Sequence, residues 1–224
     1  MKKILFFLCF SLASVSVGWS SPIGFGLKSG IDIAGQNYKT VISDISVQPL
    51  IGFTGGLFVD VNFFDFLSLQ TETNFTIKGH QEVDKNFSVY DSMSNFLGTT
   101  TDTLSFNFQY LEIPLLVKTP ITLSSGLKGY LLTGPSLSIL LNETTTLSQV
   151  ANGNVPAFSE SVDDTRYFPG TDWGLVFGGG VEFMNFLLDV RLDLGLDPAS
   201  EKGYIGSSTI TNNVLSFEVG YRIK

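Results

Sequence analysis

The chain has only one cysteine, Cys9, and one histidine, His80, among its 224 residues. A single cysteine excludes an internal disulfide bond and a metal site with several thiolate ligands. Basic residues are also few, since 13 Lys and Arg stand against 21 Asp and Glu, for a formal net charge of −8. Nucleic-acid binding needs a basic surface, so the composition argues against a nucleic-acid partner.

Long apolar runs are missing after the first 20 residues, although 43% of the chain is hydrophobic. At the start, Lys2 and Lys3 precede an apolar stretch over residues 4–17, which small residues follow. This stretch falls short of the ~20 residues that a membrane-spanning helix needs, so it favours a secretory signal over a membrane anchor. We expect a signal peptide at 1–20, whose removal also takes Cys9, and one exported domain at 21–224.

The segment FLLDVRLDLGL, residues 186–196, places a charge at every second position among leucines and valines. A helix would put Arg191 nearly opposite Asp189 and Asp193 and would leave no apolar face. In a strand, alternate side chains point to opposite sides, so one side is apolar and the other carries all three charges. The segment therefore predicts a strand with two different faces.

This alternation recurs along the chain. The predicted strands cover residues 23–34, 51–61, 67–78, 104–118, 127–141, 173–183, 186–196 and 215–223. Phe58 breaks the pattern on the polar side of its strand, and the alternation changes phase near Tyr110, which predicts a bulge. We predict an all-β fold, an eight-stranded antiparallel up-and-down transmembrane β-barrel.

The connections alternate in length. Short turns are predicted near 62–65, 119–126 and 184–185, and long polar loops near 35–48, 80–103, 142–171 and 197–213. Such asymmetry is typical of outer-membrane barrels, whose long loops are extracellular. We expect these loops to be mobile and both chain termini to be periplasmic.

Glycine indicates which face lies inside the barrel. A soluble, lipocalin-like barrel would have its apolar face inside. Here most strand glycines share the charged face, where small residues make room in a narrow lumen, while Leu, Ile, Val and Phe occupy the other face. The pattern therefore favours a polar lumen and an apolar outer surface in contact with lipid.

The lumen is expected to hold charges of both signs. They are Lys28, Asp32, Asp60, Glu72, Lys78, Glu112, Lys118, Glu182, Asp189, Arg191, Asp193, Glu218 and Arg222. An unpaired charge in so narrow a space is costly, so we expect a salt-bridged network that plugs the lumen. Eight strands leave an interior just wide enough for side chains, which favours a plug over a selective pore.

Two segments, YLEIPLLVK (110–118) and GYLLTGPSLSILL (129–141), resemble the PorT-like outer-membrane β-barrel family, porin-family proteins of Bacteroidota-type Gram-negative bacteria. GLKSGID (26–32) and WGLVFGGGVEF (173–183) agree with it. The resemblance implies a location in the outer membrane, contact with outer-membrane lipid, and recognition by the barrel-insertion machinery during biogenesis. It also implies a secretion-system protein as a candidate partner.

Catalytic and cofactor motifs are not evident in the sequence. His80 is the one candidate for an outer-membrane lipid hydrolase, but no serine adjoins it. We therefore predict a non-enzymatic protein without metal or cofactor. Its structural or interaction role would depend on loops 80–103 and 142–171, which would contact an extracellular partner, a surface glycan or a companion membrane protein. The periplasmic turns would dock a secretion-system protein. The alternative is a narrow channel for small solutes.

Overall fold

The computed structural model describes residues 23–37, 46–124, 126–153, 158–163, 170–196 and 211–223. The predicted signal peptide at 1–20 lies outside these residues. The strands are β1 (Ile23–Asn37), β2 (Ser46–Phe64), β3 (Leu67–Tyr90), β4 (Phe96–Ser124), β5 (Leu127–Gly153), β6 (Phe158–Asp163), β7 (Thr171–Phe183), β8 (Phe186–Gly195) and β9 (Thr211–Ile223).

Eight of these strands form a closed ring in the order β4-β3-β2-β1-β9-β8-β7-β5, with β5 pairing back to β4. Every pairing is antiparallel, and β1 closes the ring against β9 from Phe25–Ile223 to Asn37–Thr211. The predicted eight-stranded antiparallel barrel is confirmed. A ninth strand, β6, was not predicted and pairs with β5 over residues 144–149.

The two faces of β8 have the predicted environments. Leu188 on the outer face is 55% exposed, whereas Asp189 on the inner face is 3% exposed. Large apolar side chains are exposed in the same way around the whole ring, for example Phe25, Leu57, Leu131 and Val219. In water this surface would be unfavourable, so it is suited to contact with lipid.

Two of the three short turns lie where they were predicted, at one end of the barrel, whereas most of the third, at 119–126, is strand because β4 continues to Ser124. They join β2 to β3 at Asp65–Phe66 and β7 to β8 at Met184–Asn185. The start of β1 and the end of β9 lie at this same end, because Phe25 pairs with Ile223 and Ile23 with Val61. We call it the turn end and the opposite one the arm end.

The prediction of long mobile loops at 80–103 and 142–171 is wrong for most of these residues. β3 continues to Tyr90, β4 begins at Phe96, and β5 continues to Gly153. The segments are rich in Thr, and β-branched residues favour strands even where their polarity suggests a loop. Much of the predicted loops at 35–48 and 197–213 lies outside the described residues.

These continuations form a projecting arm, which comprises residues 79–90 of β3, 96–109 of β4, 142–153 of β5 and all of β6. Among the described residues, the ladder between β5 and β7 ends at Ile139–Thr171, while that between β4 and β5 continues to Gly98–Gly153. At about 3.3 Å per residue, the arm extends roughly 35 Å from Gln109.

The expected phase change near Tyr110 has a different form. Inward side chains of β4 keep even numbers throughout, through Phe108, Tyr110, Pro114 and Lys118. The irregularity lies in β5, where Gln109 pairs with Asn142 but Tyr110 pairs with Leu140, so that Leu141 is an additional residue. The even-numbered residues of β4 therefore face inward along the whole strand, and only the polarity of the side chains on each face changes near Tyr110.

A tight turn closes the arm between β3 and β4. The Oδ1 atom of Asp91 accepts hydrogen bonds from the backbone N–H groups of Met93 and Asn95, both at 2.8 Å. Its Oδ2 atom accepts one from the side-chain Nδ2 of Asn95 at 2.9 Å. Hydrogen bonds from the Asn95 side chain and backbone hold the pKa of the exposed Asp91 carboxyl below its ordinary value.

We expect Asn95→Ala to raise the pKa of Asp91 toward its ordinary value, as measured by NMR titration of that carboxyl. Because the folded pKa is depressed, the turn is most stable above the ordinary pKa and loses this stabilisation as pH falls through the folded pKa. Asn185→Ala, in the turn at the opposite end, should leave the titration unchanged. An unchanged titration in Asn95→Ala would contradict the assignment.

The assignment of faces predicts a penalty for charge on the outer surface. Leu192 lies on the outer face between Phe177 and Leu215, so Leu192→Arg should destabilise the folded barrel in lipid vesicles by about 2–4 kcal/mol, the range near the bilayer midplane. Urea titration measures this change. Ser159→Arg, on the exposed arm, adds the same charge and should cost much less; equal losses would refute the assignment.

Candidate functional site

The candidate site is the lumen, where the inward faces of all eight ring strands converge. The structure places every charge of the predicted network there, and most are buried; Glu112, Glu182 and Arg222 are partly exposed. Eleven of the thirteen form three clusters at different heights, which we call the lower, central and upper clusters, counted from the turn end.

The central cluster joins opposite walls of the barrel. Arg191 on β8 donates two hydrogen bonds to Glu72 on β3, at 2.8 and 2.7 Å, and one to Asp189 at 2.9 Å. Lys28 on β1 contacts the same two acids, and its Nζ atom lies 3.1 Å from Glu72. Glu218 completes the cluster, 3.5 Å from the Arg191 Nε atom. Because β3 and β8 are four strands apart in the ring, the bidentate pair crosses the lumen.

The upper cluster crosses the lumen in the same direction. Lys78 on β3 lies 2.6 Å from Glu112 on β4 and 2.9 Å from Asp193 on β8. The lower cluster lies near the turn end, where Arg222 is 2.6 Å from Asp60 and 3.0 Å from Glu182. Each cluster thus brings together charges from at least three strands.

Asp32 and Lys118 have neutral groups as close neighbours. Asp32 accepts a 2.6 Å hydrogen bond from the Thr76 hydroxyl. The Lys118 Nζ atom lies 3.7 Å from the centre of the Tyr130 ring and donates to Gln70 at 3.3 Å. An ammonium group over an aromatic face is a favourable cation–π contact.

Sequence reasoning missed an apolar layer inside the lumen. It consists of Phe58, Leu116, Tyr130, Leu132, Val176 and Leu187, all buried. Tyr130 also donates a hydrogen bond to Asp189, which joins this layer to the central cluster. Strict alternation within each strand could have found the layer, since Leu116 shares its parity with Lys118 and Leu187 shares its parity with Asp189.

Inward glycines provide the space for these large side chains. A Cβ atom at Gly26 would lie 2.6 Å from the Phe58 ring, and one at Gly178 would lie 3.0 Å from Arg191 Cγ. Phe58 is therefore an inward residue that fills the space above a glycine. Between the central and upper clusters, Asp32, Thr76 and Glu218 help to enclose a cavity of about 20 Å³, room for about one water molecule.

His80 does not face the surrounding lipid. Its ring is directed inward, is 1% exposed, and stacks on Phe106 with 4.7 Å between ring centres. Its Nε2 atom lies 3.7 Å from Glu82. A hydrolase acting on lipid would need this group at the outer surface of the barrel, and the structure does not place it there.

Two further findings concern the described part of the chain. No group of three or more His, Cys, Asp or Glu is arranged to hold a metal ion. In the same residues, no helix is long and apolar enough to cross a membrane.

The projecting arm is a second candidate surface. Its outer face carries hydroxyl groups on neighbouring strands, with Thr146 3.0 Å from Ser161 and Ser148 3.5 Å from Ser159. At its end, Tyr90, Met93 and Phe96 are exposed beside the Asp91 turn, Met93 to 81%. Sequence reasoning treated these residues as loops and so did not identify an ordered surface.

The profile of the outer membrane protein beta-barrel domain family matches residues 14–201. Solved structures with a similar chain include Ail, the attachment invasion locus protein of Yersinia pestis, at 14% identity and TM-score 0.39, covering 89% of this chain and 98% of that one. Neisserial surface protein A matches at 14% identity and TM-score 0.41, covering 89% and 97%. OprG from Pseudomonas aeruginosa matches at 12% identity and TM-score 0.40, covering 90% and 94%. The comparison with curated proteins gives no match.

The pair that crosses the lumen predicts a large loss of stability on truncation. Arg191→Leu should lower the free energy of unfolding by about 3–5 kcal/mol, because Glu72 and Asp189 lose a buried partner. Arg222→Leu, near the open turn end, should cost less. The double variant Glu72→Leu/Arg191→Leu should recover part of the loss, and urea titrations in vesicles measure all three. Equal losses for Arg191→Leu and Arg222→Leu would contradict the central position of the pair.

Proposed function

The chain belongs to the outer membrane beta-barrel domain family, and from this premise we propose that it is a barrel with a closed lumen whose function lies in its projecting arm. The observation that carries the proposal is the bidentate Arg191–Glu72 pair, which crosses the lumen from β8 to β3. A pore would need this space for solutes.

Closure of the lumen is supported at three heights. The upper cluster crosses the interior above the central cluster, and the apolar layer with the lower cluster lies below it. Side chains from opposite walls are in direct contact, so solutes could pass only if several buried ion pairs separated. Breaking a buried pair is strongly unfavourable, which makes the channel the weaker hypothesis.

The proposed orientation places the arm outside the cell. Short turns and both ends of the barrel domain lie at the turn end, and in outer-membrane barrels such turns are periplasmic. In this arrangement residues 1–20 direct export, the insertion machinery assembles the barrel, and the arm extends beyond the outer leaflet.

The arm has the features of an interaction surface. Its turn is held by three hydrogen bonds to the Asp91 carboxylate and presents Tyr90, Met93 and Phe96 to solvent at the end of two long paired strands. Exposed apolar side chains on an ordered support lose little conformational entropy on binding. The partner we propose is an extracellular or secretion-system protein, and the role is non-enzymatic.

Planar-bilayer recording tests the closed lumen. We expect the native barrel to insert without conductance steps, because the ion pairs fill its interior. The double variant Glu72→Ala/Arg191→Ala should also insert without conductance steps, because the apolar layer and the upper and lower clusters still close the interior. Regular steps from the native barrel would refute the closed lumen and favour a narrow channel.

Labelling of intact cells tests the orientation with two exposed methionines, Met93 at the arm end and Met184 at the turn end. A membrane-impermeant maleimide should label Met93→Cys and should not label Met184→Cys until the cells are opened. The predicted removal of Cys9 with the signal leaves each variant with one cysteine. Labelling of Met184→Cys but not of Met93→Cys in intact cells would refute the orientation. In that case a photo-crosslinker at position 93 should capture no partner at the cell surface.

A further inference from the structure

The outer face of the arm continues the lipid-facing surface of the barrel but has a different chemistry. Along β4, the outward residues change from Val117, Leu115 and Leu111 to Asn107 and Ser105 without a break in the strand. Neighbouring strands change at the same height, because Ser105 pairs with Gln81 and Thr146. On β3, β4 and β5 the apolar surface therefore becomes a hydrogen-bonding surface at one level.

The polar side chains of this face form rows across four strands. One row consists of Gln81, Ser105, Thr146 and Ser161; the next has Thr103, Ser148 and Ser159 on three strands and the buried Val83 on β3. Strands lie about 4.8 Å apart, and rows two residues apart are separated by about 7 Å. We call these residues the hydroxyl face.

Charge is distributed unequally between the two sides of the arm. The described side chains of the hydroxyl face are uncharged, whereas the inner side carries Glu82, Asp102, Glu143 and Glu160. Asp102 accepts a hydrogen bond from Gln149, and Glu143 is buried. Among the side chains that the structure describes, these four acids thus lie opposite the side that continues the membrane-facing wall.

The additional residue in β5 produces this separation. A shift of one residue exchanges the two faces of a strand. Because Leu141 is additional, Thr144, Thr146 and Ser148 point outward and Glu143 points inward. If Leu141 were instead paired with Gln109, Glu143 would pair with Asn107 and lie on the outer face.

From these observations we propose that the hydroxyl face contacts the saccharide headgroups of glycolipids in the leaflet around the barrel. The face points sideways, away from the barrel axis, so its partner lies beside the barrel just above the apolar band. Serine and threonine hydroxyls both donate and accept hydrogen bonds, as sugar hydroxyls do. An uncharged face suits the neutral part of such a headgroup. The proposal rests on the outward orientation of the arm proposed above.

The test compares two adjacent exposed residues on opposite sides of β6, Ser159 on the hydroxyl face and Glu160 on the inner side. Each is replaced by cysteine in a barrel that starts at residue 21, and maleimide labelling rates are measured in lipid discs. The discs contain phospholipid, lipid A without sugars beyond its disaccharide, or lipopolysaccharide with its oligosaccharide. We expect the oligosaccharide to slow Ser159→Cys by about tenfold, equivalent to about 1.4 kcal/mol of protection, and to leave Glu160→Cys unchanged.

Variants of the hydroxyl face complete the test. Adding Thr146→Val and Ser161→Ala should restore fast labelling of Ser159→Cys, while Thr145→Val on the inner side should not. Equal slowing at positions 159 and 160 would indicate general crowding and overturn the proposal, as would no slowing. If Ser159→Cys is labelled more slowly than Glu160→Cys even in discs of phospholipid alone, another protein surface covers the hydroxyl face. This result would also overturn the proposal. Discs expose both ends of the barrel, so failure here leaves the cell-labelling result on orientation intact.

Discussion

Inside a bilayer, backbone N–H and C=O groups find no water to bond with, so each must be paired within the protein. Closure of the strand ring is therefore the constraint on which this structure depends. β1 pairs with β9 and β4 pairs with β5, so no strand of the ring has an open edge within the barrel. Closing eight strands leaves a narrow interior. The narrow interior in turn requires glycines such as Gly26 and Gly178 opposite large inward side chains, and it places bulky residues on the outer surface.

The same narrowness explains why the buried charges are organised as they are. Arg191, Lys28 and Lys78 each contact acids from other strands, and two of the resulting pairs join β3 to β8 across the lumen. Buried ion pairs contribute little net stability compared with apolar packing, but they strongly penalise arrangements that separate them. A register that separated these pairs would leave buried charges without partners. Beyond the apolar band the wall continues as the arm, where the register change at Leu141 turns Glu143 inward and Thr144, Thr146 and Ser148 outward.

Alternation of polarity was sufficient to predict the ring, the inward position of the charges and two of the short turns, because each depends on neighbours within one strand. Three features could not be predicted in this way. Phe58 and Leu116 are apolar but face inward, which their position in the strand indicates and their polarity does not, and Phe58 fills space that Gly26 on β1 leaves open. The arm has the composition of a loop, and only its pairing with neighbouring strands makes it ordered. The change near Tyr110 looked like a shift in phase within β4, because the additional residue lies on its partner strand.

The central claim is that β8 separates lipid from a closed interior, and a nitroxide scan from Phe186 to Asp193 tests it most directly. Spin labels are attached one at a time, and their collisions with oxygen and with a water-soluble nickel chelate are measured in lipid vesicles. We expect high oxygen accessibility at 186, 188, 190 and 192, and low accessibility to both reagents at 187, 189, 191 and 193. High nickel accessibility at the odd positions would contradict it, because the lumen would then be filled with water.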